Sequence, residues 1–226
     1  IKHPTLHTTH YILHTTHYIM NNFVITIGRQ IGSGGLATAS MLSEQLGVPM
    51  YDKNLLMEVS KQSGLACEFF EKRDEKAAKR PLGRFFGLRS TMQGNDGFPG
   101  FNAISDEELF KIQSRVMQSI VSKESCIIVG RCADYVLRDH PRCLSVFISA
   151  SLEDRVARIV AGQGVSDAEA RRIIEHGDRK RADYYNYYTF KQWGDSSSYH
   201  LCLNSTKLGS IENVVKVIRN YMEIIN

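Results

Sequence analysis

The fold is decided by the stretch Val24-Ile25-Thr26-Ile27-Gly28-Arg29-Gln30-Ile31-Gly32-Ser33-Gly34-Gly35. Its first part is apolar and β-branched, which predicts a buried strand. A glycine-rich turn follows, and after it the apolar residues from Leu36 to Leu46 have helical spacing. The backbone N–H groups of such a turn, together with the N-terminus of the next helix, bind anions. The stretch therefore predicts a phosphate-binding loop built from Gly28, Arg29, Gln30, Gly32, Ser33, Gly34 and Gly35.

The loop departs from the usual phosphate-binding motif at its end. That motif closes with Gly-Lys-Ser/Thr, in which the lysine reaches the outer phosphates and the hydroxyl binds the metal. Here Gly35 and Leu36 occupy these two positions, although Thr38 lies close by. Arg29 or Lys53 could supply the missing cation. A tight strand–helix turn without any ligand is the alternative interpretation.

The remainder of the chain alternates between strand-like and helix-like patterns. This alternation predicts an α/β fold, with a parallel sheet covered by helices on both faces. In such sheets ligands bind at the carboxyl ends of the strands, where Gly28, Asp52, Arg131 and Ser149 are expected. The predicted strands are 23–27, 48–51, 126–129, 144–148 and 199–203, and the predicted helices are 36–46, 55–62, 68–79, 105–123, 151–160, 167–188 and 211–224.

Asp52 and Lys53 allow two interpretations. We expect Asp52 to end a strand beside the first one, so that its carboxylate could face the phosphates and serve the metal. The pair could equally be the N-cap and first residue of a helix.

Composition narrows the function classes. The net charge of +4 suits anionic small molecules, and the basic residues are not interleaved with aromatic residues as in nucleic-acid-binding modules. The five cysteines contain no C-x-x-C pair, which favours a reducing, cytoplasmic compartment over a disulfide framework or a zinc site. No apolar run approaches membrane-spanning length. We therefore expect no nucleic acid, no membrane and no protein-bound metal cluster.

The first nineteen residues stand apart from the rest. Residues 6–12 are repeated at once as residues 13–19, and five of the eight histidines lie in this part. The repeat could bind metal or direct targeting, or it could be an extension ahead of Met20. We expect the folded domain to span 20–226, with residues 1–19 outside it.

Arginines supply the second signal for phosphate chemistry. Arg131 follows a predicted strand and a glycine, and Arg155 and Arg158 lie one helical turn apart. Arg179 and Arg181 belong to a basic cluster on the next helix, which could also be an ordinary solvated face. The guanidinium group binds phosphate through two parallel hydrogen bonds and neutralises a phosphoryl group in transfer.

These features together resemble the cytidylate kinases. The similarity is carried by the glycine loop, by Gly130-Arg131 after a strand, and by the segments 146–158 and 203–215. The residues Ile27-Gly28-Arg29-Gln30, Tyr51-Asp52-Lys53 and Arg181-Ala182-Asp183-Tyr184-Tyr185 resemble a divergent bacterial branch, the cytidylate-kinase-like family.

The resemblance implies a nucleoside monophosphate kinase fold, with a five-stranded parallel sheet, a nucleoside-binding region over 53–104 and a helical lid over 162–195. It implies phosphoryl transfer from ATP with Mg2+ to CMP or dCMP. Arg131 would hold the acceptor phosphate, assisted by Asp52, Lys53 and Arg158 on the substrate side. Arg155, with Arg179 or Arg181 from the lid, would approach the phosphoryl group in transfer.

The chain also differs from the family pattern beyond the loop. Val129 replaces the acidic residue before Gly130, and Cys132 replaces the aspartate that helps to hold the nucleoside. A nucleotide-binding regulator without catalysis, or a kinase acting on another small metabolite, therefore stay as alternatives. The aromatic run over 184–188 could stack on a base, pack the lid onto the core or form a homodimer interface.

Overall fold

The computed structural model describes residues 22–54, 56 and 105–225. The repeat over 1–19 lies outside the described residues. So do nearly all of the predicted nucleoside-binding region 53–104 and the two helices predicted over 55–62 and 68–79.

The sheet has five parallel strands in the order β2-β3-β1-β4-β5. This confirms the predicted fold class. One detail of the prediction is wrong: β2 pairs with β3 and not with β1, so Asp52 lies two strands away from the strand that carries the loop. The strands are β1 Val24–Arg29, β2 Met50–Tyr51, β3 Cys126–Val129, β4 Cys143–Ser149 and β5 Leu201–Asn204.

Helices connect the strands and begin where the sequence places their caps. Ser105 and Glu108 form a reciprocal capping box, and Ser151 and Ser166 accept hydrogen bonds from the first turns of the helices they precede. Two four-residue helices, Ala133–Val136 and Ser205–Leu208, were not predicted. The helices of the described residues are α1 Gly35–Leu46, α2 Asp106–Val121, α3 Ala133–Val136, α4 Leu152–Gln163, α5 Asp167–Thr189, α6 Ser205–Leu208 and α7 Ile211–Ile225.

Two apolar clusters fill the space on the two faces of the sheet. On one face, alternate residues of β1 such as Ile25 and Ile27 pack against α1 and α7. On the other face, Val24 and Ile128 pack against α2 and α3. The central strands are buried on both sides, as their continuous apolar runs predict. This produces the three-layer arrangement expected from the sequence.

The helix α5 has a different position, which matters for the site. Its N-terminal half packs with α4 against Ile31 of the glycine loop. Its C-terminal half places Tyr185 against Cys132, Phe147 and Tyr199 at the carboxyl end of the sheet. The predicted lid helix therefore lies across the loop and the strand ends. None of the helices in the described ranges is long and apolar enough to span a membrane.

Candidate active site

The glycine loop needs its glycines because neighbouring atoms leave no space for side chains. Gly32 and Gly34 have positive φ angles of 73° and 84°. A Cβ atom on Gly32 would lie 2.8 Å from the carbonyl oxygen of Arg155, and one on Gly34 would overlap Ile211. α1 starts directly after Gly34, and the N–H groups of a first helical turn have no acceptor within the helix. These donors and the helix dipole favour an anion at the loop.

Two arginines support the back of the loop. Arg155 Nε donates to the carbonyl of Ile31 at 2.7 Å, and its guanidinium forms an ion pair with Asp178. Arg158 Nη1 donates to the carbonyl of Gly32 at 3.0 Å. Asp178 of α5 also accepts the backbone N–H of Ile31 at 2.7 Å. The structure therefore places Arg155 and Arg158 as loop supports, whereas the sequence predicted contacts with the phosphoryl group and the substrate.

The other polar side chains of the loop are also turned into the protein. Gln30 Oε1 accepts the backbone N–H of Ala150 at 3.2 Å. The buried Ser33 hydroxyl donates to the carbonyl of Gln30 at 2.9 Å, and its own carbonyl accepts from Ser205 at 2.8 Å. Thr38 donates to the carbonyl of Gly34 at 3.0 Å. The loop thus presents backbone, and not its own hydroxyl or amide side chains, to a ligand.

A cavity of about 410 Å³ opens in front of the loop, at the carboxyl ends of β1 and β3. Three arginines from separate elements line it, namely Arg29 at the end of β1, Arg131 after β3 and Arg181 of α5. Lys53 and Lys180 add two exposed ammonium groups at its edge. The cavity is therefore strongly positive on one side.

Arg29 is the most deeply placed of these cations. Its Nε is buried and has no hydrogen-bond partner among the described residues. Burial, followed by repulsion from Arg181, lowers the pKa of Arg29 to about 9, against a smaller opposing attraction to Asp52. The group is still a cation at neutral pH, but its charge is poorly compensated. A bound anion would supply the compensation that the described protein groups lack.

The two other cavity arginines are held in place by neighbours. Arg131 lies over the ring of Tyr184, 5.0 Å from the ring centroid, which is the geometry of a cation–π contact. Arg181 Nη1 donates to the carbonyl of Arg29 at 2.7 Å, and burial lowers the pKa of Arg181. Arg179, two residues earlier, is exposed and pairs with Glu175 on the outer face of α5 at 2.9 Å. The structure therefore brings Arg29, Arg131 and Arg181 together and leaves Arg179 apart.

The opposite wall of the cavity is aromatic and contains one carboxylate. Asp134 accepts a hydrogen bond of 2.7 Å from the Tyr185 hydroxyl, and burial raises the pKa of this carboxyl. Tyr199 and Trp193 complete the wall, and Gly28 lies beneath it, where a Cβ would meet the ring of Phe147 at 2.9 Å.

Sequence reasoning missed Asp134, and it left the role of the tyrosines open. The signal available was the position of Asp134, three residues after Arg131 and in the first turn of a helix at a strand end. The tyrosines within 184–188 have different roles. Tyr184 and Tyr185 line the cavity, whereas Tyr188 stacks on Phe110 at 4.2 Å. Burial raises the pKa of the Cys132 thiol to about 12, so this cavity residue stays protonated and is no nucleophile.

Asp52 and Lys53 stand at the end of β2, at the far side of β3 from the loop. Asp52 Oδ1 accepts the backbone N–H of Asn54 at 2.9 Å, as in the N-cap that the sequence left as one of two alternatives. Asp52 is still close enough to influence Arg29, so both interpretations of this residue agree with the structure.

With this geometry established, comparison with known proteins assigns the family. The model described as the cytidylate kinase-like family matches residues 24–207. The chain belongs to this family. Family membership makes it a kinase-like, nucleotide-binding type of protein, as the resemblance of the loop and of Gly130-Arg131 predicted.

Solved structures give further likenesses. An uncharacterised protein from Eubacterium ventriosum is 29% identical with a TM-score of 0.68, over 90% of this chain and 99% of that chain. A shikimate kinase from Bacteroides thetaiotaomicron is 15% identical with a TM-score of 0.49, over 89% and 98%. A gluconokinase from Sinorhizobium meliloti is 10% identical with a TM-score of 0.47, over 90% and 95%. No curated protein is similar enough to match. The likeness to the Eubacterium ventriosum protein supports the fold and identifies no substrate.

Proposed function

We propose that this cytidylate kinase-like protein transfers the γ-phosphoryl group of ATP to the phosphate of a nucleoside monophosphate, with CMP or dCMP as the first acceptor to test. The observation that supports the proposal is the convergence of Arg29, Arg131 and Arg181 on one cavity beside a glycine loop. Each arginine comes from a different element, so the cluster is a feature of the tertiary structure and not of one charged helix face.

The charge balance of the cavity favours a ligand with more than one phosphate. Among the described residues, three guanidinium groups line it, while the acidic groups are Asp134 in the lining and Asp52 beyond β3. Phosphoryl transfer requires neutralisation of the charge on the group in transfer, and preorganised cations provide it without reorganisation. Arg131 would bind the acceptor phosphate, and Arg29 and Arg181 would approach the phosphates of ATP.

The aromatic wall supports a nucleoside as the non-phosphate part of the acceptor. Tyr185, Tyr199 and Trp193 offer apolar ring surface for a planar base. The Asp134 carboxylate can accept a hydrogen bond from an amino or hydroxyl group of the acceptor, in the role that Cys132 cannot fill. Catalysis would then consist mainly of positioning two phosphates in line.

Mg2+ and ATP are the cofactors that the fold family implies. When bound, Mg2+ neutralises charge on the phosphates of the nucleotide. Leu36 and Val129 provide no ligand for it, and the described residues contain no group of three or more His, Cys, Asp or Glu side chains that could hold a metal. Mg2+ often takes one or two carboxylates together with phosphates and waters. A metal here would arrive with ATP and be held mainly by phosphates and waters, with Asp52 as the candidate carboxylate on the protein.

A coupled assay tests the proposal. ATP and Mg2+ are supplied with CMP, dCMP, UMP, AMP and GMP in turn, and ADP formation is followed. We expect turnover with a pyrimidine monophosphate well above the rate of ATP hydrolysis without acceptor. Rates equal to the acceptor-free rate for every monophosphate, in a protein with an intact circular dichroism spectrum, would disprove it.

Two alternatives share the same cavity. A regulator that binds a nucleotide without turnover is favoured by the loss of the hydroxyl at Leu36 and of the acid at Val129. A kinase for another small metabolite is favoured by Cys132, which replaces the aspartate that helps to hold the nucleoside in the family. Tight binding of ATP without Mg2+, combined with no turnover, would select the regulator, and turnover restricted to a non-nucleotide acceptor would select the second alternative.

A cytoplasmic location and a homodimer stay predictions. The location follows from the need for ATP and from the four described cysteines, none of which forms a disulfide. Light scattering tests the dimer.

A further inference from the structure

The space beside Gly35, where the usual motif has its lysine, is occupied by Arg29. An ideal Cβ atom on Gly35 would lie 2.5 Å from Arg29 Cβ and 2.9 Å from Arg29 Cγ. Both are stem atoms close to the backbone of β1, so they cannot swing aside as the end of a flexible side chain can. The stem of Arg29 therefore occupies the volume into which a side chain at position 35 would have to grow.

The same arginine also fills the space beside a second glycine. Gly130 ends the neighbouring strand β3 with a φ of 77°, and a Cβ there would overlap Arg29 Nη1. Arg29 thus runs from the end of β1, across Gly35 at the start of α1, to Gly130 at the end of β3. Its charged end arrives in the cavity lined by Arg131 and Arg181.

We infer that Arg29 replaces the missing loop lysine as the cation for the phosphates of the nucleotide, and that Gly35 is a glycine because the stem of Arg29 lies against it. Gly130 is a glycine because of its positive φ, and it leaves room for the head of Arg29. The inference deepens the proposed function and rests on it for the identity of the nucleotide. Arg29 packs against Gly35 and Gly130, so the cation is carried by the end of β1 and not by α1.

Contacts around Arg29 agree with this role. Its buried Nε has no partner among the described residues, so the protein does not fully satisfy this guanidinium group. Its backbone carbonyl is held by Arg181 at 2.7 Å, which fixes the residue from which the side chain starts. The first turn of α1, with its unpaired N–H groups, begins at Gly35 beneath the Arg29 stem. A phosphate at the helix N-terminus would lie next to the Arg29 stem and within the reach of its head.

The first test removes the charge and keeps the stem. Arg29→Met leaves an unbranched side chain over Gly35, and binding of inorganic pyrophosphate is measured by calorimetry without metal or acceptor. We expect affinity to fall at least tenfold, whereas Arg172→Met, on an exposed arginine of α5 paired with Glu169, should bind as the unchanged protein does. An Arg29→Met protein that binds within threefold of the unchanged protein would overturn the inference, as would an unchanged protein that does not bind pyrophosphate.

The second test exchanges the two cations. Gly35→Lys alone should lose pyrophosphate binding, because the new side chain collides with Arg29. Arg29→Gly removes the Cβ that causes the collision, which Arg29→Ala would not. We expect Arg29→Gly/Gly35→Lys to bind at least tenfold more tightly than Arg29→Gly. A double variant that melts like Arg29→Gly but binds no better would contradict the steric part.

Gly162→Lys is the matched control for adding a lysine to a helix, because nothing lies within 4 Å of a Cβ at that position. It should change neither folding nor pyrophosphate binding. Since every readout is binding, failure of the proposed function is separate. A chain that binds pyrophosphate through Arg29 and phosphorylates no acceptor would keep this inference and lose the kinase.

Discussion

The back and the front of the glycine loop use the same residue type in opposite ways. Behind the loop, Arg155 and Arg158 meet backbone carbonyls and the carboxylate of Asp178. In front of it, Arg29 and Arg131 face a cavity, and Arg29 has a buried nitrogen without a described partner. Protein groups neutralise the charges behind the loop, whereas the charges in front of it are left for a ligand.

The two groups of arginines should therefore have different roles, one in holding the loop and the other in binding a ligand. The rear arginines fix the path of the loop backbone, so their loss should appear first as a loss of stability. The front arginines line the cavity, and none of them has an ion pair among the described residues, so their loss should appear as a loss of ligand binding or turnover. Substitutions on the two sides of the loop test that division.

The largest effect is expected in front of the loop, at Arg131. Arg131→Met should lower kcat/KM for the acceptor by about 10²–10³-fold, because a preorganised cation facing the phosphates is removed. Steady-state kinetics with the best acceptor measure it, and Arg172→Met is the control. If Arg131→Met kept more than a third of the activity while Arg155→Met lost it without unfolding, the division between front and back would be reversed.

The next effect is expected behind the loop, at Asp178. Asp178→Asn keeps the shape of the side chain but leaves the buried Arg155 guanidinium without its counter-charge, which should cost about 3 kcal/mol of the free energy of unfolding. Urea denaturation measures this, with Glu175→Gln at an exposed pair on the same helix as the control. A midpoint shift no larger than that of the control would show that the ion pair does not hold the loop.

A smaller effect concerns the carboxylate opposite the arginines. Burial raises the pKa of Asp134 in the folded protein, so its neutral form is favoured there. The contribution of Asp134 to stability should therefore fall as pH rises above about 4, the ordinary carboxyl value. The free energy of unfolding that is lost on Asp134→Asn, measured against the unchanged protein, should therefore be smaller at pH 7 than at pH 4. Paired denaturation curves at the two pH values measure the difference, and a constant difference would argue against a raised pKa.

The smallest effect is expected at Arg179, which sequence reasoning placed at the reaction. Its side chain is exposed and pairs with Glu175, and such pairs contribute about 0–1 kcal/mol. Arg179→Ala should change activity less than twofold and hardly change the melting temperature. A tenfold loss of kcat with unchanged stability would mean that α5 turns this face toward the substrate during turnover, and that the front of the loop gains a fourth arginine.

The fold could be predicted because its signals are local. The run from Val24 to Ile27, the glycines after it and the capping box at Ser105 and Glu108 each determine a strand, a turn or a helix start by themselves. Within the described residues the neighbour of β2 was wrong, since strand order depends on the packing of distant segments, and the two four-residue helices α3 and α6 were missed.

The site could be predicted only in part, because the direction of a side chain depends on tertiary contacts. Arg179 and Arg181 are two positions apart on one helix, so they point to different sides, and only docking of α5 decides which one reaches the loop. The spacing of Arg155 and Arg158 indicated that both lie on one face of their helix, but it did not indicate that this face contacts the loop backbone. Asp134 gave only a positional signal, three residues after Arg131, since its surroundings come from burial beside Tyr185.

The packing of Arg29 against Gly35 and Gly130 has a consequence for how mutations combine. Changed one at a time, each of the three positions should look indispensable, although neither glycine need touch a ligand. Changed together, positions 29 and 35 could exchange their roles. A scan of single substitutions would therefore overstate the number of ligand contacts here. Only double variants, compared with the two single variants, would reveal that the cation can be carried by either position 29 or position 35.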